Sequence, residues 1–191
     1  MHLSRRGLQG IVMKPIGPLI REHRLIERCI PVLTSQVRRI RKEKTIDPVI
    51  IGTVVDFFQT YADRTHHGKE EEILFRSLAT KALSPEHARV TAELMDEHRY
   101  ARSVTRDLVA AKERYLQGDA ASLAGVLASL ETLAGFYPKH IEKEDRHFFF
   151  PILDYFTRQE QDAMLDEFSA FDRKMIHEKY AKVIESLEGL P

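Results

Sequence analysis

Two stretches of this chain repeat one arrangement of histidine and glutamate, and the repeat restricts how the chain can fold. His23 is followed 44 positions later by His67, and His67 four later by Glu71. His98 is followed 42 positions later by His140, and His140 four later by Glu144. On a helix, residues four apart lie one above the other on the same face. The correspondence continues past these residues, because His67 and Phe75 match His140 and Phe148 in spacing. Each half thus offers a lone histidine on one helix and a His-x-x-x-Glu pair on the next. Only helices lying side by side can bring all six side chains to one axis.

Apolar periodicity supplies those helices. Ile16, Leu19, Ile20, Ile26, Ile30, Leu33, Val37 and Ile40 recur at three- and four-residue intervals and predict a helix to about Arg41, with Pro31 inside it. His23 and Glu27 fall on its apolar stripe, where a polar group is costly unless partnered. Asp47-Pro48 is a cap-and-first-turn signal for a second helix to about Ala79. Ser84-Pro85 opens a third, to about Leu116, closed by Gly118-Asp119. A fourth runs from about Ala120 to Phe150, with Pro138 expected to bend it just before His140. Thr157-Arg158-Gln159-Glu160 is a capping box that starts a C-terminal helix carrying Met164, Phe168, Phe171, Met175, Ile176, Tyr180, Val183 and Leu187. No segment alternates with period two. The expected class is all-α: an antiparallel up-down four-helix bundle over residues 15–153, an N-terminal extension over 1–14 and a C-terminal helical extension over 154–191.

Composition narrows the function classes. Lysine plus arginine equals aspartate plus glutamate at 29 each, so no net field argues for nucleic acid or an anionic membrane as partner. Cys29 is the only cysteine, which rules out an internal disulfide and any cysteine-built zinc or iron–sulfur site. No uninterrupted run approaches the roughly 18 apolar residues of a spanning helix. Arg5-Arg6 and the short apolar stretch to Met13 are too broken for an export signal, so the expected compartment is the cytoplasm.

The chemistry lies in the histidines and carboxylates. Imidazole with carboxylate suits iron, manganese or zinc, and iron or manganese where a carboxylate bridges two ions. Four imidazoles and two bridging glutamates would give two terminal ligands per ion and leave open positions. Two divalent ions held by two carboxylates stay net positive, so a bridging hydroxide or another anion is expected. His66 and Glu70 form a competing His-x-x-x-Glu pair one residue out of step, about 100° around the helix. The match of Phe75 to Phe148 favours His67 and Glu71.

These residues resemble the hemerythrin-like, or HHE cation-binding, domains. The resemblance rests on Glu22-His23-Arg24-Leu25-Ile26-Glu27-Arg28, His66-His67-Gly68-Lys69-Glu70-Glu71-Glu72-Ile73-Leu74-Phe75, Glu97-His98-Arg99 and His140-Ile141-Glu142-Lys143-Glu144-Asp145. It covers residues 15–151 and implies a non-heme centre of two iron ions, oxo- or hydroxo-bridged. His23, His67, His98 and His140 would be terminal ligands, and Glu71 and Glu144 bridges. Oxygen-carrying members have five histidines, with His-x-x-x-His on the third helix. Here Arg102 stands four after His98, so the chain is similar instead to the four-histidine branch. That branch includes bacterial proteins linked to nitric oxide, oxidative stress and repair of iron centres.

The function implied is binding of a small diatomic ligand (oxygen or nitric oxide) or peroxide at an open iron position, in sensing, scavenging or storage. The first alternative is an enzyme that reduces peroxide or nitric oxide with a redox partner protein, or an iron donor to damaged iron–sulfur centres. The second is a helical interaction module that docks through Phe168–Tyr180. Near the site, Glu27 reads as a partner behind His23. Tyr61 and Tyr137 read as donors to a bound ligand or as core, and Cys29 as an inert buried thiol. His2, His87 and His177 read as surface. Glu144-x-x-His147 has the ferritin-type spacing, of which no second copy exists.

Overall fold

The structure is a computed structural model that describes residues 14–188, with side chains described for 14–175 and 179. The N-terminal extension lies almost wholly outside these residues, as does His2. So do the side chains of Ile176, His177, Tyr180, Val183 and Leu187. Among the described residues there are helices and no strands. They are α1 (Ile16–Glu43), α2 (residues 48–78), α3 (Pro85–Leu116), α4 (residues 123–152) and α5 (Arg158–Glu188).

The starts follow local chemistry. Asp47 accepts hydrogen bonds from Val49 N (2.9 Å) and Ile50 N (3.2 Å), with Pro48 in the first turn. Ser84 Oγ accepts from His87 N at 3.1 Å. Thr157 and Glu160 close a reciprocal capping box, Thr157 N donating to Glu160 Oε2 at 2.8 Å and Glu160 N to Thr157 Oγ1 at 3.3 Å. α1 ends on Lys44 in the left-handed region, φ 57°, and the turn after α3 uses Gly118 at φ 99°.

Two apolar cores lie one above the other along the bundle. One contains Ile26, Leu33, Ile40, Ile51, Val54, Phe58, Leu108, Val126, Leu130 and Tyr137. The other contains Ile16, Leu19, Leu74, Leu78, Leu94, Phe148, Phe149, Ile152, Met164 and Phe168. α1 runs from the second core to the first, α2 returns, α3 goes up again and α4 comes back, which is the expected up-down order. Residues 120–155 are long and apolar enough to cross a membrane by length and composition alone. One face of this stretch, carrying Val126, Leu130, Leu133, Phe148 and Phe149, is buried in the bundle.

The helices of α2 and α4 depart from expectation in one respect. α2 is α-helical at its ends and for two residues, Gly68 and Lys69, in mid-length. Phe57–His67 and Glu70–Phe75 are wider π turns, and so is Glu144–Phe148 in α4. Hydrogen bonds in a π turn close i→i+5, so each residue advances less around the axis than in an α-helix. The widening in α4 follows His140, while the backbone stays α-helical through Pro138.

α5 crosses α2 at Gly68. A Cβ built there would meet Phe171 Cζ at 2.8 Å. Alanine in place of a mid-helix glycine ordinarily stabilises by about 1 kcal/mol, whereas overpacking costs about 1–3 kcal/mol. Gly68→Ala is therefore expected to lower the denaturation midpoint, and adding Phe171→Leu to restore it. Cys29 is a free, half-buried thiol whose burial pushes its pKa up to about 11 from 9.0. Since the thiolate is the nucleophile, alkylation of the native protein at pH 8 should run about 100-fold slower than after denaturation and quicken up to about pH 11.

Candidate metal centre

A layer of polar side chains separates the two apolar cores. His23 follows Leu19 and precedes Ile26, His66 lies between Ala62 and Ile73, His98 between Leu94 and Ala101, and His140 between Tyr137 and Phe148. His23, His66, His67, His98, His140, Glu70 and Glu144 are all at most 2% exposed. Their donor atoms fall into two groups that could each hold a cation. One is His67, His98 and His140; the other is His23, His66, Glu70 and Glu144, with ligand atoms in each group within 4.8 Å of one another.

The two carboxylates span both groups. Glu70 places Oε1 3.5 Å from His66 Nε2 and Oε2 3.4 Å from His98 Nε2. Glu144 Oε2 lies 3.1 Å from His23 Nε2 and 3.4 Å from His140 Nε2, and its Oε1 is 3.7 Å from His98 Nε2.

Of the six residues expected from sequence to meet, His23, His67, His98, His140 and Glu144 do so. Glu71 does not. Its side chain is 19% exposed and its carboxylate accepts from His98 Nδ1 at 2.7 Å and from Arg102 at 2.8 Å. Glu70 takes the inward position instead. The reason is the π backbone of α2, in which the smaller step per residue turns two neighbours, His66 and His67, inward together. The chain thereby gathers five imidazoles, although Arg102 stands where a His-x-x-x-His pair on α3 would need its second histidine.

Behind the imidazoles stands a ring of carboxylates. Glu22 accepts from His66 Nδ1 (2.9 Å), Glu71 from His98 (2.7 Å), Glu97 from His140 (2.8 Å) and Asp145 from His23 (2.7 Å). Each bond joins neighbouring helices, α1 to α2, α2 to α3, α3 to α4 and α4 back to α1. Cations back the carboxylates in turn: Lys69 pairs with Glu22, Lys143 with Glu97, Arg24 with Asp145, and Arg102 with both Glu71 and Asp63. Asp63 lies 3.6 Å from His67 Nδ1, beyond hydrogen-bond reach. A neutral imidazole that donates Nδ1–H outward presents its Nε2 lone pair inward, the arrangement that metal-binding histidines use.

The electrostatics fit a cation. Burial raises Glu70 well above the carboxylate range, reinforced by the charge of Glu144. Burial works to raise Glu144, yet the close imidazoles of His140, His23 and His98 outweigh it and hold Glu144 well below that range. Burial lowers His66 to about 4 and holds His67 well below the usual imidazole range, so both are neutral at pH 7 with lone pairs free. His98 is raised, since Glu144 and Glu71 outweigh its burial. Burial works to raise Glu22, Glu71 and Glu97 too, yet their hydrogen bonds from His66, His98 and His140 leave each below the usual range. The inward Nε2 atoms of all five histidines and all four oxygens of Glu70 and Glu144 have no hydrogen-bond partner. Ten buried polar atoms without partners, counting His67 Nδ1, would cost several kcal/mol. Cations bound in the two groups would satisfy all but the last.

The other residues singled out from the sequence lie outside the layer of donors. Glu27 pairs with Arg24 on the surface (2.8 Å) and does not reach His23. His147 is exposed. His87 is half-buried, with Nδ1 2.8 Å from the Tyr155 hydroxyl. Tyr137 is buried, its ring stacked 6.4 Å from that of His67. Tyr61 lines a cavity between α1 and α5.

The profile of the hemerythrin HHE cation binding domain matches residues 14–153. Comparison with curated proteins and with solved structures finds no match. The matched span covers all four helices that carry the histidine and glutamate layer. With its bundle, its paired His-x-x-x-Glu motifs and a buried His/Glu cluster suited to a cation, the chain belongs to the hemerythrin HHE cation-binding domain family.

Proposed function

We propose that the protein holds two iron ions in the layer between its cores and binds a small ligand there, oxygen, nitric oxide or peroxide, in sensing, scavenging or storage. The observation that carries this reading is the set of buried, unpartnered donors, divided three imidazoles to two and spanned by two carboxylates. The ligands would be His67, His98 and His140 on one side and His23 and His66 on the other, with Glu70 and Glu144 shared. Mixed imidazole and bridging carboxylate favour iron or manganese over zinc. When bound, the ions supply Lewis acidity, electron exchange and an open coordination position.

The rest is the work of the chain. One oxygen from each glutamate would give the three-imidazole side five donors and the two-imidazole side four. Glu22, Glu71, Glu97 and Asp145 hold the imidazoles in orientation. The apolar cores above and below exclude water and strengthen every charge interaction in the layer. A cavity of about 90 Å³, lined by Gln59, Asp63, His67, Arg102, Thr105 and Tyr137 among others, reaches the layer from the side. Its size suits a diatomic molecule or peroxide better than an organic substrate. The enzyme reading uses the same residues, and turnover of peroxide or nitric oxide with an added electron donor separates the two.

Protein purified without oxygen and reconstituted with ferrous iron is expected to hold two irons per chain and to gain a charge-transfer absorption on exposure to air. Less than one iron per chain would sink the proposal. Glu70→Gln should lose most of that iron. Glu71→Gln should keep its stoichiometry with affinity reduced about 10–100-fold, as for partners behind a ligand. Equal iron loss in the two variants would overturn the assignment of Glu70.

A further inference from the structure

One relay occurs twice in this bundle. Behind His140 stand Glu97 and then Lys143; behind His66 stand Glu22 and then Lys69. The two relays differ in what lies beyond the lysine. Lys143 is 31% exposed, and beyond it Glu93, itself 42% exposed, lies 3.7 Å from its Nζ. Lys69 is fully buried, and its Nζ lies 2.7 Å from Asp172 Oδ1 on α5. Phe168 covers the ammonium with its ring centre 5.9 Å away, and Phe171 packs against the adjacent Gly68. Asp172 Oδ1 makes no hydrogen bond of good geometry, so it acts on Lys69 as a charge. Solvent reaches the lysine of the first relay, whereas in the second Lys69 and the Asp172 oxygen that faces it are buried, although the Asp172 side chain as a whole is 43% exposed, so the second pair is screened less.

We infer that Asp172, acting through Lys69 and Glu22, is a positioning residue for His66, by which α5 sets the electron affinity of the ion that His66 holds. The inference rests on the reading of the layer as an iron site. His66 belongs to the side with fewer imidazoles, so the influence would fall on the ion held by His23 and His66. Removing the Asp172 charge leaves Lys69 more strongly engaged with Glu22, weakens the pull of Glu22 on the His66 Nδ1 proton and adds net positive charge. Each change favours the reduced ion. Removing the Lys69 charge does the opposite on every count.

The test is a redox titration of the full chain, loaded with ferrous iron without oxygen and followed by its charge-transfer absorption, with iron content measured on each sample. Asp172→Asn is expected to raise the midpoint potential and Lys69→Met to lower it, both with two irons retained. Shifts in the same direction, as loosened packing alone would produce, overturn the inference, as does no shift at full iron content. Should Lys69→Met fail to fold, the double variant Lys69→Met/Asp172→Asn removes one charge of each sign and is expected to shift less than Asp172→Asn alone. An equal or larger shift overturns the inference. Unaltered protein that binds no iron overturns both this inference and the reading beneath it.

Discussion

The hydrogen bond from a buried imidazole to a carboxylate on the next helix is the interaction on which the rest of this structure depends. It occurs four times, and the four bonds close a ring through α1, α2, α3 and α4. Each does two things at once. It satisfies an Nδ1–H that would otherwise be orphaned in the interior, and it fixes which ring nitrogen faces the axis. Without the carboxylates the imidazoles could rotate or protonate. Without the imidazoles each acid would keep only the lysine or arginine behind it. The fold and the site are therefore one arrangement, since the same pairs that aim the ligands also register each helix against its neighbour.

The apolar cores complete the logic. A layer containing five imidazoles and two carboxylates is expensive to bury, and its cost must be met by burial elsewhere and by bound cations. Residues such as Leu19, Leu74, Leu94 and Phe148 on one side, and Ile26, Phe58, Leu130 and Tyr137 on the other, supply that burial. They also set the low dielectric in which the two glutamates part company, Glu70 drawn toward its neutral form and Glu144 kept charged.

Much of this was legible in the sequence. The caps at Asp47, Ser84 and Thr157 give the helix starts, and the apolar periods give the up-down bundle. The His-x-x-x-Glu pairs announce a metal layer. What the 3.6-residue period could not deliver was the facing of α2, because its backbone there is π rather than α and the usual 100° step does not hold. Matching Phe75 to Phe148 then favoured the wrong neighbour to face inward. A better signal lay in the charged residues. Glu22-His23-Arg24 matches Glu97-His98-Arg99, and His66-x-x-Lys69-Glu70-Glu71 matches His140-x-x-Lys143-Glu144-Asp145. Aligned so, the acid before each lone histidine and the acid after each inward glutamate fall into the ring of hydrogen-bond acceptors. Those residues look like ordinary surface charge in a linear reading, and only the meeting of helices gives them a role.

The wide turns of α2 carry a consequence for the ligand count. In a π turn the chain spends one more residue per hydrogen-bonded loop than an α-helix does, and here the surplus lets His66 and His67 share one inward face. The number of imidazoles in the layer is thus governed by the length of a single helix as well as by the identity of its residues. A one-residue change in the length of this stretch would alter the ligand count without replacing any ligand.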